Sequence, residues 1–366
     1  MNGIMKREKL LFIVEAMGGG IFTYITNLTN ELVKKYDVYV AYSVRKETPK
    51  DFKKSFNVNV KLIKVENFVR SINILQDLKA YIEIKKIVKK VNPDIIHLHS
   101  SKAGALGRLA FSFFNNKYTV FYTPHGYSFL MSDTSKVKRL VYRNIEKILG
   151  MGNAVTISCS PGEDKESQKI AKYTEHVNNG INMKEITNVV GDYKKSNSNK
   201  IKVATLGRIS YQKNPALFNR IAENMPEKEF IWIGNGELKE EITSPNVRIT
   251  GWLDRNAALR KLNEADIFIL TSRWEGLPMA LLEAMYMGKL CIVSNTIGNN
   301  DVIKNNVNGF ICDSIEDYIN AINVSKEKEK ELIEHAIGDV KKEYNTITMA
   351  RKYSEIYDKY ILKRGK

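Results

Sequence analysis

Short apolar runs alternate with longer amphipathic segments along this chain, and this alternation limits the possible folds more than any other feature. Periodic stretches such as Ile21–Lys35 and Leu75–Val91 separate several of the runs. Apolar runs of this length with helices between them are typical of parallel strands that are covered on both faces. The runs of the first half are Leu10–Val14, Val38–Val44, Val60–Val65, Ile95–His99, Thr119–Tyr122 and Val155–Cys159.

A polar stretch, Val190–Lys200, interrupts the alternation, and its Ser, Asn and Lys content without periodicity indicates a linker. A second series of runs follows: Lys202–Leu206, Phe230–Ile233, Val247–Thr250, Ile267–Leu270, Leu290–Val293 and Gly309–Cys312. The 366 residues suit two domains. We predict an α/β protein with Rossmann-like, doubly wound parallel sheets in domains 1–189 and 190–345, followed by a terminal helix in 346–366. Such sheets bind ligands at the carboxyl ends of their strands, so we expect a cleft between the domains.

The positive charge is concentrated in the first half. Residues 1–190 carry 30 Lys and Arg against 17 Asp and Glu, whereas residues 191–366 carry 27 against 24. An anionic membrane surface is one partner that fits this charge, and Leu78–Val91 and Lys136–Leu149 combine lysines with apolar residues in the way such a surface requires. Ordinary solvated helices are the alternative. We find no recognition module for nucleic acid, so we do not expect nucleic acid as a partner.

Cysteine usage and hydropathy indicate the compartment. No run of about 18 apolar residues is present, and the start of the chain lacks the features of a signal peptide. The three cysteines, Cys159, Cys291 and Cys312, are far apart and odd in number, as expected for reduced core residues. We therefore expect a cytoplasmic protein that binds peripherally to the inner face of the cell membrane.

The most informative motif is the segment from Glu275 to Ala284, which follows the run Ile267–Leu270. Pro278 suits the first position of a helix, and the free N–H groups at that helix end would bind a diphosphate. Glu275 precedes the helix and Glu283 lies within it among apolar neighbours, so Glu283 need not be solvated. Carboxylates here would accept hydrogen bonds from sugar hydroxyls. The alternative is a pair of ordinary helix glutamates.

Two cations, Arg208 and Lys213, follow the run Lys202–Leu206. At the carboxyl end of a strand they could reach one anionic group and neutralise charge on a leaving diphosphate. Two solvated surface cations are the alternative interpretation. The chain contains no Asp-x-Asp pair, an arrangement that can hold a divalent cation, so we expect no bound metal.

The first half has two further candidates. The glycines Gly18–Gly20 would let backbone approach a ligand closely, although a flexible turn remains possible. His125 follows the run Thr119–Tyr122 and would face the ligand unless it is a buried structural histidine. His97 and His99 alternate on one strand, and we interpret them as lining the cleft or structural rather than as metal ligands.

Together these motifs resemble glycosyltransferase family 4, which has the GT-B fold, and the resemblance covers essentially the whole chain. Glu275 and Glu283 match the family's E-x7-E motif, and Arg208 and Lys213 match its GR-x4-K element. Further matching segments are Gly18–Gly20, His125-Gly126, Asn179-Gly180-Ile181, Ile233-Gly234-Asn235-Gly236, Gly298-Asn299-Asn300-Asp301 and Asn308-Gly309-Phe310. Asn182 stands where aspartate is commoner in the family.

The resemblance implies a retaining transferase that uses a nucleotide-sugar as co-substrate and no cofactor. Glu275 would contact the donor sugar, Glu283 the ribose, and His125 would shape the sugar site. Arg208 and Lys213 would hold the diphosphate, assisted by the backbone of Gly19, Gly20, Gly276, Leu277, Pro278 and Met279. The family also implies that the last helix, near Thr348–Leu362, crosses back to the first domain.

The substrates are predicted only by class. We expect a UDP-sugar donor and a glycan or polyprenyl-linked acceptor, in the synthesis of capsule, exopolysaccharide or O-antigen. A sugar-nucleotide epimerase shares this fold and would turn over the donor without an acceptor. A non-catalytic partner subunit is the other alternative, although loss of Glu275, Arg208 or Lys213 would be expected in it, and all three are present.

Overall fold

The computed structural model describes residues 7–15, 17–45, 48–69, 73–113, 117–132, 134–191 and 200–364. These residues form two compact units. The first is drawn from the described residues of Met1–Leu130, Thr134–Asn179 and Thr346–Lys366, and the second from those of Met131–Asp133 and Gly180–Asn345. Most of the predicted linker, 192–199, lies outside the described residues.

The first unit contains a seven-stranded parallel sheet with the order β3-β2-β1-β4-β5-β6-β7. Its strands are β1 (Lys9–Val14), β2 (Asp37–Tyr42), β3 (Lys61–Lys64), β4 (Ile95–His99), β5 (Thr119–Thr123), β6 (Val155–Ser158) and β7 (Tyr173–His176). Its helices are α1 (Gly19–Leu32), α2 (Ile74–Val91), α3 (Ser101–Arg108), α4 (Lys136–Gly150) and α5 (Pro161–Ser167). The last helix of the chain, numbered below, also packs in this unit.

The second unit contains a six-stranded parallel sheet with the order β10-β9-β8-β11-β12-β13. Its strands are β8 (Lys202–Leu206), β9 (Glu229–Ile233), β10 (Val247–Ile249), β11 (Ile267–Leu270), β12 (Leu290–Ser294) and β13 (Phe310–Cys312). Its helices are α6 (Met183–Val190), α7 (Pro215–Glu223), α8 (Arg255–Asn263), α9 (Met279–Tyr286), α10 (Ile315–Ile322) and α11 (Lys326–Glu343). The prediction of two α/β units built on parallel sheets is confirmed.

Each central strand of the first sheet buries both of its faces. Leu10 and Phe12 point into the core beneath α1, whereas Leu11 and Ile13 point into the core beneath α2, α3 and α4. Successive side chains of a strand alternate between faces, so a strand covered on both sides must be apolar throughout. This is why the first runs of the sequence are continuous rather than alternating.

The last helix, α12 (Thr346–Arg364), packs against α1 within the first unit. Tyr353 and Tyr357 are fully buried there. The hydroxyl of Tyr353 lies 2.5 Å from that of Tyr24, and the hydroxyl of Tyr357 lies 2.6 Å from Nδ1 of His97. Buried polar groups need such partners, so these contacts fix how α12 sits on the first sheet.

The division between the units falls after Asn179, whereas the sequence-based boundary is at residue 189. The backbone N–H of Ile181 donates to the carbonyl of Tyr344 at 2.9 Å, and α6 packs against α8. Residues 180–189 therefore belong with the second unit. The polar composition of the following stretch indicated a linker, but it could not indicate which partners the preceding helix has.

Among the helices of the described residues, none has the length and apolar content that a bilayer span needs. Cys159, Cys291 and Cys312 are all buried and unbridged.

Candidate active site

The order of each sheet reverses between two neighbouring strands, and several candidate residues lie in loops that follow such strands. His125 is an exception, because it follows β5. In the second sheet β8 and β11 are neighbours, although β9 and β10 extend from β8 to one side and β12 and β13 from β11 to the other. Open parallel sheets bind ligands where the order reverses, at the carboxyl ends of the strands. Arg208 and Lys213 follow β8, and Glu275 follows β11.

Close backbone packing fixes the loop after β8. The carbonyl of Gly207 accepts a hydrogen bond from the indole N–H of Trp232 at 2.9 Å. A Cβ atom at Gly234 would lie 2.1 Å from that same carbonyl oxygen, so only glycine fits there. The loop then forms one 3-10 turn over Tyr211–Lys213.

Lys213 and Glu275 form an ion pair with 2.6 Å between Nζ and Oε1. The two side chains are 17% and 7% exposed, so water screens the pair only weakly. Gln212 joins the same two loops, because its Nε2 donates to the carbonyl of Trp274 at 3.0 Å. The structure thus brings together two of the residues that the sequence analysis selected from separate motifs.

Arg208 pairs with a different carboxylate, Glu237, at 2.9 Å. Both partners are well exposed, at 39% and 51%, and such surface pairs contribute little to stability. The Arg208 pair is therefore more exposed to solvent than the Lys213 pair. The two cations have different carboxylate partners, and the expectation that both reach one anionic group of a ligand stays a prediction.

The loop from Gly276 to Pro278 leads into α9, whose first turn has no side-chain cap. Pro278 lies at the N-cap, and its backbone is extended, with ψ of 118°. The helix therefore begins at Met279. The prediction that Pro278 occupies the first helical position is wrong by one residue. A Cβ atom at Gly298 would lie 2.4 Å from the carbonyl oxygen of Gly276. This close approach fixes the loop beside Glu275.

Glu283 lies inside α9 and is 2% exposed, which confirms that it is not solvated. Its Oε1 accepts a hydrogen bond from Nη1 of Arg255 at 2.8 Å, and Nε of Arg255 donates to Glu185 at 2.6 Å. Burial opposes the charge of the guanidinium, but the two carboxylates together raise the pKa of Arg255. Within the described residues, Nη2 of Arg255 is buried and has no hydrogen-bond partner.

Sequence reasoning missed Arg255. It occupies the first turn of α8, directly after the N-cap Asp254. A cation at the positive end of a helix is unfavourable, and this is the only signal in the sequence that Arg255 has another role. Its partners, Glu185 and Glu283, come from distant segments, so no local pattern could have indicated the cluster.

In the first unit, His125 follows β5 in the left-handed region, with φ of 58°. Its Nε2 lies 3.0 Å from Nδ1 of His99, and its ring contacts the edge of Tyr24. Burial lowers the pKa of His125 to about 3 and also lowers the pKa of His99 well below its usual range. Both rings are therefore neutral near pH 7, so His125 can exchange hydrogen bonds but carries no charge.

His97 and His99 are both fully buried. His97 bonds Tyr357 through Nδ1 and Thr123 through Nε2, at 2.6 and 2.9 Å. His97 is thus a structural residue that joins β4, β5 and α12. Within the described parts of the chain, no group of three or more histidine, cysteine, aspartate or glutamate side chains is arranged to hold a metal ion.

A second residue that sequence reasoning missed is Glu163, which is 1% exposed. Its carboxylate accepts hydrogen bonds from the N–H of Gly126 at 2.6 Å and of Cys159 at 2.8 Å. Ser160 caps the helix that contains Glu163, so the spacing of a capping box was present in the sequence. The structure shows that Glu163 also fixes the loop that carries His125.

The glycine-rich loop precedes α1, and Gly18 is the N-cap residue without a side-chain cap. Gly19 has a positive φ of 56°, and a Cβ atom there would point into open space. Gly19 and Gly20 are both exposed. The backbone at this helix end is accessible to an anion, as a phosphate site requires.

Comparison with known proteins identifies the family. The model for glycosyltransferase family 4 matches residues 18–185, and that for glycosyl transferases group 1 matches residues 192–339. The chain is 32% identical over 332 residues to an Escherichia coli UDP-Gal:alpha-D-GlcNAc-diphosphoundecaprenol alpha-1,3-galactosyltransferase, a match that covers 83% of this chain and 84% of that protein. The chain belongs to glycosyltransferase family 4.

Two further matches agree with this assignment. The O-antigen biosynthesis glycosyltransferase WbnH of Escherichia coli is 26% identical, over 66% of this chain and 70% of that protein. The crystal structure of Anabaena HepE with UDP and glucose superposes with a TM-score of 0.76 at 18% identity, over 96% of this chain and all of that one. The chain is therefore a glycosyltransferase with the GT-B fold, and the resemblance stated from its motifs is confirmed.

Proposed function

We propose that this glycosyltransferase moves a sugar, with retention of configuration, from a UDP-sugar to a polyprenyl-diphosphate-linked acceptor. The E. coli relative that is 32% identical is named for a UDP-galactose donor and a diphosphoundecaprenol-linked acceptor. Another relative is named for O-antigen biosynthesis. The reaction would belong to the synthesis of a bacterial surface glycan such as O-antigen, capsule or exopolysaccharide. The observation that carries this proposal is the buried pairing of Lys213 with Glu275.

Binding of the donor diphosphate would replace one partner of that pair. A diphosphate carries more negative charge than a carboxylate, so it would draw the ammonium group of Lys213 and the solvent-exposed guanidinium of Arg208 toward it. The uncapped start of α9 and the backbone of Gly276, Leu277 and Met279 would complete the anion site. The expected metal independence follows from these contacts, because cations of the protein would neutralise the diphosphate.

The released carboxylate of Glu275 would then accept hydrogen bonds from hydroxyls of the donor sugar. Glu283 would bind the ribose. Arg255 occupies one oxygen of Glu283 at 2.8 Å, which holds the carboxylate in a single orientation. Its second oxygen would accept from the ribose hydroxyls.

The chemical step would be a front-face displacement. The bond between the anomeric carbon and the diphosphate oxygen breaks as the acceptor oxygen bonds to the same face of that carbon. The departing diphosphate oxygen takes the acceptor proton. Glu163, the buried carboxylate that bonds the backbone next to His125, accepts from two backbone N–H groups, so it is a poor candidate for a nucleophile.

The roles of His125, Gly19 and Gly20 are proposed from the family resemblance. Neutral His125 would donate or accept a hydrogen bond at the donor sugar, and the exposed glycine backbone would approach the phosphates. The more basic first half of the chain would receive the acceptor. A lipid-linked acceptor would require a cytoplasmic protein that binds peripherally to the inner face of the membrane.

A donor screen tests the proposal. The purified chain is incubated with labelled UDP-galactose, UDP-glucose, UDP-N-acetylglucosamine, GDP-mannose or ADP-glucose, with and without polyprenyl-diphosphate-linked N-acetylglucosamine. We expect transfer from a UDP-sugar that depends on the acceptor. Equal turnover without acceptor would indicate the epimerase alternative, and transfer only from GDP- or ADP-sugars would contradict the donor assignment.

A further inference from the structure

Helix α4 packs against the core with a side that is not its most apolar one, unlike an ordinary surface helix. The residues that it buries include Glu146, Leu149 and Gly150. Glu146 is bonded by the guanidinium of Arg108 at 2.7 Å and by the hydroxyl of Tyr122 at 3.1 Å. The helix thus places its only carboxylate inside the unit, where a buried cation neutralises it.

Most of the apolar side chains of α4 face the solvent instead. Six of them, including the C-cap residue, are between 43% and 72% exposed. At 3.6 residues per turn, all six fall within about 140° of the helix circumference, so they form one stripe that also contains the exposed, uncharged Asn144. We call this stripe the α4 face: Val137, Leu140, Val141, Ile145, Ile148 and Met151.

Basic side chains border the α4 face on both sides. By the same helical spacing, Lys136, Arg143 and Lys147 lie along one border and Lys138 along the other. All four are exposed. Since Glu146 is buried, the solvent-facing surface of α4 combines apolar and cationic groups without a compensating anion.

We propose that the α4 face inserts into the interface of an anionic lipid bilayer. An apolar stripe with basic borders is the pattern of helices that lie in this interface, where long lysine and arginine side chains extend toward phosphate groups. A second copy of the chain fits less well. In a symmetric dimer through the α4 face, the four border cations would meet four identical cations.

Helix α2 extends the same surface. Helix α3 contacts both α2 and α4, and all three cover one face of the first sheet. The start of α2 exposes Ile74, Leu75, Leu78 and Ile82, and its end exposes Lys85, Lys86, Lys89 and Lys90. Of the twenty exposed large apolar residues in the described chain, eleven lie on α2, on α4 with its C-cap, or at Leu109. We infer that α4 inserts and that the lysines of α2 add electrostatic attraction.

This inference deepens the proposed function, because a lipid-linked acceptor would require the enzyme to work at a membrane. Its test uses binding rather than catalysis. The full chain is mixed with vesicles of phosphatidylcholine and phosphatidylglycerol, or of phosphatidylcholine alone, and sedimented. We expect binding to the anionic vesicles at low salt, weak binding to the neutral ones, and release at about 1 M salt, where the screening length is about 3 Å.

Two variants with a matched control locate the surface. Leu140→Gln/Ile148→Gln removes apolar contact without a change of charge, and we expect at least about tenfold weaker binding to anionic vesicles. Lys136→Gln/Arg143→Gln/Lys147→Gln should weaken binding about fivefold per charge at low salt. The control Val58→Gln/Val307→Gln changes exposed valines elsewhere and should bind as the wild type does.

Three outcomes would overturn the inference. Wild-type binding by Leu140→Gln/Ile148→Gln would show that α4 does not insert, and a loss confined to Lys85→Glu/Lys86→Glu/Lys89→Glu/Lys90→Glu would assign the contact to α2. Analytical ultracentrifugation without lipid tests for a dimer. If the wild type is a dimer and Leu140→Gln/Ile148→Gln is a monomer, the α4 face binds a second copy of the chain. If the double variant loses vesicle binding but still transfers sugar to a short-chain soluble acceptor, the inference and the proposed function both stand. If the wild type transfers sugar to no acceptor yet binds vesicles as expected, only the proposed function fails.

Discussion

Lys213 and Glu275 form a 2.6 Å ion pair between the loops that follow two neighbouring strands of the second sheet, β8 and β11. The pair lies where the strand order of that sheet reverses. Each residue neutralises the other, so neither leaves an unpaired charge at a weakly solvated position. In our account a bound donor takes over both roles, with its diphosphate beside Lys213 and its sugar beside Glu275.

Replacing Lys213 with alanine should lower kcat by about 10²-fold or more, because the cation acts most strongly as charge develops on the departing diphosphate. Steady-state kinetics with saturating acceptor measures this. Lys261→Ala is a matched control, since Lys261 pairs with Glu264 within one helix turn on the same unit. A rise in KM with unchanged kcat would mean that Lys213 only assists binding.

Substitutions of Glu283 and Glu275 should have different effects, the first on binding of the nucleotide and the second on transfer of the sugar. Glu283→Ala should weaken binding of free UDP by about 10- to 100-fold, because the ribose would lose bonds to a charged acceptor. Arg255→Met should also weaken the binding of UDP, and Arg255→Lys should recover part of the lost affinity. Isothermal titration calorimetry measures all three. Unchanged UDP affinity in Glu283→Ala would reject the ribose assignment.

Glu275→Ala should impair transfer while leaving UDP affinity within a few-fold of wild type. Its effect on kcat/KM should depend on the donor sugar, because Glu275 is assigned to sugar hydroxyls rather than to the nucleotide. Kinetics with UDP-galactose and UDP-glucose would measure this dependence. An equal loss with both donors, together with weaker UDP binding, would place Glu275 at the nucleotide instead.

Chelation should leave the activity largely intact. Arg208, Lys213 and the start of α9 would supply the positive charge that a divalent cation supplies in metal-dependent transferases. The rate is measured with EDTA and then with added Mg²⁺ or Mn²⁺. Full loss on chelation and recovery with metal would contradict this role of the cations.

Three histidines, His97, His99 and His125, should make the first unit less stable in acid. Burial lowers the pKa of His125 to about 3, and it lowers the pKa of His97 and His99 well below the usual range. In the unfolded chain the three histidines bind protons near pH 6.5. The free energy of unfolding therefore keeps their full contribution above that pH and falls as the pH drops toward 3. Each histidine contributes a slope of up to about 1.4 kcal/mol per pH unit.

Denaturant unfolding between pH 7 and pH 4.5 measures this slope. His125→Asn should reduce the number of protons that the chain takes up on unfolding by about one, and the slope falls accordingly. If the wild type and His125→Asn show the same dependence on pH, His125 is not held neutral by the folded unit.

The sequence predicted the strands that are buried on both faces most accurately. The runs Ile95–His99, Lys202–Leu206 and Ile267–Leu270 have the same bounds as β4, β8 and β11. By contrast, β7 was missed because Tyr173–His176 forms the edge of its sheet and is only partly buried, so it is not an apolar run.

The site was predictable only where one local motif carried it. The burial of Glu283 followed from its apolar neighbours in α9. Lys213 and Glu275 were each selected from a motif that follows a strand, but their pairing was not predicted. Arg255 and Glu163 were not predictable, because the partners of Arg255 lie 28 and 70 residues away in the chain and Glu163 bonds the backbone of another loop. The exposed side of α4 also required the structure, since periodicity alone does not show which side of an amphipathic helix is buried.

The most direct test of the account is acceptor-dependent transfer by the purified chain, compared between wild type and Lys213→Ala. Labelled UDP-sugar and polyprenyl-diphosphate-linked N-acetylglucosamine are the substrates, and the anomeric configuration of the product is read by NMR. We predict an α-linked product from an α-linked donor, formed in the presence of EDTA, and at least about 10²-fold slower turnover by Lys213→Ala. An inverted product, or equal turnover by the variant, would contradict the central claim.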